Sequence, residues 1–396
     1  MIAESKKSEK FVDTIEFIYQ KILLLNDNEF NRYSLHYGKA GLLVFLANYY
    51  KIKNDKNIES QIQCLIEEIV LNLKNDVNKI SFSHGVSGMI WALKYVNNLF
   101  SNCFFDDDFF DILDREVLDC TKIIVSNGEL DFMHDGLGSI LPIIDTENKS
   151  FFIDKIINHS LYDKIGHHLW LEEFLDEKYI INLGLAHGQP AMWYFLSLLL
   201  ENEQDVMRIS TIVEESYKTM VKYFSNPNAV SRFAAVGYIN KQYNFEKKEG
   251  CAPLSWCYSD LTIANTLVLL GKKLKNNFLY AEGEKMAINT INRDTFESAG
   301  FKGLCLCHGA SSCICVYDNL YHLTNNVSFQ KTSLKWAAKA SEFINTHEKL
   351  FFQMNGARPE YLGSMLDGYV GLGLSLISLI NTDEKLQSWK RCILLR

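Results

Sequence analysis

With 396 residues, 47% of them apolar, and only five prolines, the chain can bury a large core and favours long helices over loops. A net charge of −8 and the absence of any long Lys/Arg block argue against nucleic acid or an anionic membrane as partner. No run reaches the roughly eighteen apolar residues of a membrane span, so no membrane insertion is expected. Ten cysteines behind a charged, unsignal-like N-terminus predict a reducing, cytoplasmic setting.

Along the chain one short pattern recurs seven times: a small residue, two others and a second small residue, opening an apolar run. It begins at Gly38, Gly85, Asp135, Gly188, Ser259, Gly309 and Gly368. Intervals of 47, 50, 53, 71, 50 and 59 residues indicate a repeat architecture. Each interval holds about two helices of roughly 8–20 residues. The first of each pair is predicted to start at the pattern and to be buried, as in Leu42 to Leu46, Met89 to Leu93, Met192 to Leu200 and Leu372 to Ile377. Amphipathic stretches such as Ile58 to Leu73, Val206 to Tyr223 and Thr332 to Thr346 supply the second. Seven inner helices close around a centre only if seven more cover them. The expected fold is therefore all-α, a double-layered α,α-toroid of seven inner and seven outer helices. No linker interrupts the repeats, which predicts a single domain over residues 1–396 with its repeat-bearing core at about 33–380. The widest interval contains the polar stretch Asn226 to Gly250, predicted as a long loop over the mouth.

Just before each pattern stands a polar, titratable residue: Tyr37, His84, His134, His187, Tyr258, His308 and Asp367. One step earlier lie His36, Ser83, Met133, Ala186, Cys257, Cys307 and Leu366. If adjacent repeats present the same phase to a shared space, Cys257 and Cys307 converge and His308 joins them. Two thiolates and an imidazole with a fourth position open make a catalytic zinc site, where an incoming thiol is deprotonated. The plain alternative is a pair of core cysteines, since free Cys is among the most buried residue types. Cys305, Cys313 and Cys315 crowd the same segment and are assigned to packing. The paired spacing of a zinc finger is absent, so no structural zinc is proposed.

The motifs Trp256-Cys257-Tyr258, Cys307-His308-Gly309 and Leu185-Ala186-His187-Gly188, with the recurring glycine pattern, resemble the lanthionine synthetase C-like family, the cyclases of lanthipeptide biosynthesis, over about Tyr37 to Leu379. The resemblance implies Zn2+ bound by Cys257, Cys307 and His308. It implies a peptide cysteine adding to dehydroalanine or dehydrobutyrine to close a (methyl)lanthionine thioether ring. It matches His187 to the family's acid/base histidine, Asp131 to its aspartate and Tyr258 to the tyrosine beside the first zinc cysteine. The implied substrate is a dehydrated precursor peptide, and a lanthipeptide dehydratase is the implied partner. Conjugate addition forms an enolate that must be protonated, which suits a histidine of near-neutral pKa. The plain readings are that His187 caps a helix and that Asp131 is an ordinary N-terminal acid. His84 and His134 take no family role and are expected to line the cavity.

Some positions depart from the family pattern: Pro253 stands where an arginine usually precedes the first zinc cysteine, and Asp135, Ala191, Ser259, Thr262 and Ser312 replace glycines. Two other functions fit the same residues. One is addition of glutathione or another small thiol to dehydroamino acids in proteins. The other is a non-catalytic, zinc-stabilised scaffold for a precursor peptide or dehydratase. A glycoside hydrolase would leave two aligned cysteines without a purpose.

Overall fold

The computed structural model describes residues 2–26, 30, 33–73, 80–144, 148–175, 178–246, 250–346 and 361–396. The chain is mostly helical. Helices begin directly after all seven pattern starts: Lys39–Lys53, Val86–Leu99, Gly136–Ser139, Gln189–Leu198, Asp260–Lys273, Ala310–Thr324 and Tyr369–Ile380. Where Ser259 replaces glycine, its Oγ accepts the Thr262 N–H at 3.1 Å, so the replacement supplies a side-chain cap. The second small residue of the pattern has a packing cause. A Cβ at Gly41 would lie 2.3 Å from the Leu35 carbonyl oxygen, and one at Gly88 would lie 2.0 Å from that of Phe82. At these two starts the helix rests on the turn behind it, and only bare backbone fits there, whereas Ala191, Thr262 and Ser312 take the same place in three other repeats. The third helix stops after one turn because Pro142 offers no N–H to continue it, and a 3-10 turn follows at Leu141–Ile143.

Five of these helices pack against a partner of equal or greater length that follows them in sequence: Lys56–Leu73, Asp107–Ser126, Glu203–Phe224, Asn277–Thr290 and Val327–Thr346. The predicted amphipathic stretches fall inside three of them. The last pattern helix is covered by Ile2–Leu23, from the other end of the chain. That helix buries Phe11, Ile15, Ile18 and Ile22 along one stripe.

Backbone hydrogen bonds lay the turns before the helices side by side. The N–H of His36 donates to Ser83 O (3.3 Å), that of Ser83 to Met133 O (3.0 Å), and that of Ala186 to Cys257 O (3.0 Å). The run continues from Trp256 N–H to Cys307 O (2.9 Å), from Cys307 N–H to Leu366 O (2.9 Å) and from Leu366 N–H back to His36 O (3.1 Å).

One feature corrects the sequence reading and a second adds to it. The strands β1 (Glu173–Leu175), β2 (Lys178–Asn182), β3 (Val236–Asn240) and β4 (Phe245–Glu246) form an antiparallel sheet in that order, a small addition to the mostly helical fold. The stretch Asn226 to Gly250 supplies two of these strands rather than one long loop; its residues 247–249 lie outside the described residues. In β3 the buried positions Gly237 and Ile239 alternate with half-buried ones, so a strand with one wet face reads as polar overall.

The second feature is the C-terminal segment, whose Trp389, Cys392, Ile393, Leu394 and Leu395 are fully buried. Its carbonyls accept hydrogen bonds from distant elements: Cys392 O from His36 Nε2 (2.9 Å), Ile393 O from Trp256 Nε1 (2.8 Å), Leu395 O from Asn319, and Arg396 O from the Tyr194 hydroxyl (2.6 Å). Lys390 Nζ meets Asp318 Oδ2 at 2.6 Å with both side chains out of water. Burial lowers the pKa of His36 to about 3, so its ring is neutral, donating from Nε2 and accepting from Ser83 at Nδ1 (3.2 Å).

Candidate metal centre and active site

The turns before the fifth and sixth pattern helices meet through the Trp256–Cys307 backbone bond and bring Cys257, Cys307 and His308 together. Cys257 Sγ lies 3.1 Å and Cys307 Sγ 3.8 Å from His308 Nε2, and all three ligand atoms lie within 4.8 Å of one another. A tetrahedral zinc with its usual bond lengths holds sulfur and nitrogen ligands about 3.6 Å apart, so the observed spacings straddle the required one. The thiols are buried and the imidazole is half-buried. Thiolate and imidazole donors in this number suit zinc.

Burial opposes the Cys257 thiolate, but hydrogen bonds from Cys307 and His308 and the charge of His308 hold its pKa well below the usual thiol value. Its hydrogen bond to Cys257, together with burial, pushes Cys307 well up. For His308, burial works against the imidazolium, and the hydrogen bond to Cys257 outweighs it and raises the pKa. The Tyr258 ring stands edge-on to that of His308 at 5.8 Å. Burial, then the charges of Cys257 and Cys307, push Tyr258 up to about 12, so it keeps its proton. Cys305, pushed up to about 12 mainly by burial, accepts the His308 N–H at 3.4 Å and steadies that ligand's backbone.

His187 stands on the adjacent turn, tied to the thiol pair by the Ala186–Cys257 bond. Its Nδ1 lies 2.6 Å from Asp131 Oδ2. The other carboxylate oxygen accepts the N–H groups of Met133 (2.8 Å) and His134 (2.7 Å), which aims Oδ2 at the imidazole. Burial disfavours the charged ring, but the hydrogen bond and charge of Asp131 prevail and raise the His187 pKa. Four of the seven polar residues before the patterns lie together: Tyr37, His84, His134 and His187 stack in succession with ring centroids 4.8, 5.4 and 5.5 Å apart.

The family model described as "Lanthionine synthetase C-like protein" matches residues 29–394. The chain belongs to the lanthionine synthetase C-like family. Among solved structures, nisin cyclase matches it with a TM-score of 0.66 at 16% sequence identity, over 97% of this chain and 96% of that one. At that identity the likeness is one of fold. No curated protein matches the chain in sequence.

The segment leading to Cys257, which contains Pro253, is anchored from downstream. The buried Arg293 donates from Nη2 to Ala252 O (2.9 Å) and from Nε to Ser298 O (2.8 Å). Neither Arg293 nor the hydrogen bond at Cys305 was legible beforehand. Arg293 reaches across about forty residues to a backbone carbonyl, and such a contact leaves no spacing to read. Of the other cysteines in the segment, Cys313 and Cys315 are buried, in keeping with packing.

Proposed function

We propose that the chain is a zinc-dependent lanthipeptide cyclase that closes (methyl)lanthionine rings in a dehydrated precursor peptide. The observation that carries the reading is the Cys257–Cys307–His308 cluster one turn away from the Asp131–His187 pair, in a chain of this family. Zinc held by Cys257, Cys307 and His308 would lower the pKa of a substrate cysteine so that it reacts as thiolate. The sulfur forms a bond to the β-carbon of dehydroalanine or dehydrobutyrine, and the displaced π-electron pair passes to an enolate. His187, with Nδ1–H held by Asp131, delivers the proton from Nε2 to the α-carbon. The proton shed by the thiol restores His187, so the reaction consumes none overall. Tyr258 stays protonated and offers an O–H donor beside Cys257.

The same reading takes the seven pattern helices as the inner layer of a double-layered α,α-toroid forming a single domain. The run of turn-to-turn hydrogen bonds returning to His36 and the packing of Ile2–Leu23 on Tyr369–Ile380 support it. Among the described residues no helix is long and apolar enough to cross a membrane. A cytoplasmic enzyme working after a lanthipeptide dehydratase fits this, because the ring acceptor must be made first.

The test is Cys257→Ala with a dehydrated precursor peptide, following loss of free peptide thiol by mass spectrometry. A folded variant that binds no zinc and closes no ring is expected; ring closure at the wild-type rate would show that the metal ligands are wrong. Pro253 is the observation that favours a non-catalytic scaffold, and that reading predicts tight peptide binding without turnover by the wild type. Addition of free glutathione in preference to ring closure would point to the small-thiol reaction.

A further inference from the structure

We propose that Asp131, His134 and His187 form a second divalent-metal site, weaker than the thiolate site, whose occupancy by a zinc-class ion removes His187 from catalysis. One ligand atom from each of the three side chains lies within 4.8 Å of the others. Asp131 and His134 come from one turn and His187 from the next, so the site bridges two repeats. The carboxylate is already oriented as a ligand, since its Oδ1 is held by two backbone N–H groups and Oδ2 points to the imidazole. Ligating carboxylates ordinarily have such outer support. His134 is exposed and gives an ion a way in from solvent.

Two imidazoles and a carboxylate take zinc, cobalt or nickel, and the absence of thiolate separates this donor set from the first site. Affinity is lower for a structural reason. The site lacks the two thiolate donors of the first. The ion must also displace the proton shared between Asp131 and His187 at 2.6 Å. That displacement is the functional consequence: the imidazole no longer exists in its acid form. The inhibition rests on His187 being the acid of the proposed reaction, whereas the binding of the ion does not.

The metal-free full-length protein is titrated with Co2+ under calorimetry and absorption spectroscopy. Two ions are expected in the wild type, the first with a thiolate-to-cobalt charge-transfer band and the second without. His134→Ala loses the second ion or binds it at least about tenfold more weakly, the lower bound for removing even an outer-shell partner. His134→Phe keeps an aromatic ring in the stack and is expected to lose the second ion equally, which separates ligation from stacking. Only one ion in the wild type, or an unchanged second ion in His134→Phe, would overturn the site. A second ion sensitive to His134 but no charge-transfer band with the first would uphold this site and defeat the Cys257–Cys307 reading instead. In ring-closure assays, excess Zn2+ slows the wild type, and His134→Phe relieves that inhibition.

Discussion

His187 owes its acid character to one carboxylate. Burial alone would favour the neutral ring, and the Asp131 hydrogen bond and charge reverse that preference. In Asp131→Asn the charge is gone while the side-chain shape remains, so the pKa of His187 falls. The alkaline limb of the ring-closure rate, where the acid form disappears, should move to lower pH, as read from a pH–rate profile and a histidine NMR titration. An unmoved limb would remove Asp131 as the cause. The sign for stability follows from the raised folded pKa. The pair's contribution is fully present below the ordinary histidine value of about 6.5 and is lost as pH rises through the higher folded value. In the Cys257–Cys307–His308 cluster, Cys257 shifted down and Cys307 shifted up behave as a pair sharing one proton.

The pattern helices depend on close backbone contact at their first turns. Gly88→Ala would put a Cβ 2.0 Å from the Phe82 carbonyl oxygen and 2.8 Å from the Leu35 side chain. Destabilisation of about 1–3 kcal/mol is expected from such overpacking, measured by urea denaturation. A different constraint acts on the turn that carries Cys257, because the preceding Trp256 donates from its ring to Ile393 O. Trp256→Phe leaves that buried carbonyl without its donor, which costs about 1–3 kcal/mol. Weaker zinc retention in competition with a chelator should accompany the loss. Retention equal to wild type would show that the ligand turn holds its shape without the C-terminal segment.

The core of the molecule contains a buried ion pair contributed by segments 72 residues apart, Lys390 to Asp318. Lys390→Met leaves the Asp318 charge buried, with His322 Nε2 at 3.6 Å as its remaining ion-pair partner among the described residues. A loss of about 3–5 kcal/mol is expected in denaturant titration. Replacing both partners, Lys390→Met with Asp318→Leu, should recover most of it; no recovery would mean that the lysine matters for packing rather than charge. The C-terminal segment therefore acts as a hub, since its carbonyls and its lysine reach residues from the first turn, the fourth helix, the fifth turn and the sixth helix.

Much of this was legible in the chain itself. Helix starts are local events: a small residue at the cap and an apolar run behind it set them, so all seven fell where the pattern placed them. The phase of Cys257, Cys307 and His308 followed from the same repeat, and with it their meeting, because equal loops on neighbouring hairpins arrive at neighbouring places. Tertiary structure alone decided the rest. Of the two strands within the polar stretch after Asn226, β3 pairs with β2, more than fifty residues earlier, and β4 pairs in turn with β3; composition over one wet-faced strand hides the distant partner. The cover on the last pattern helix comes from the opposite end of the chain, and His36 meets Cys392 across 356 residues. Such contacts carry no periodicity: they depend on where the repeats finally put two surfaces, and sequence spacing is silent on that distance.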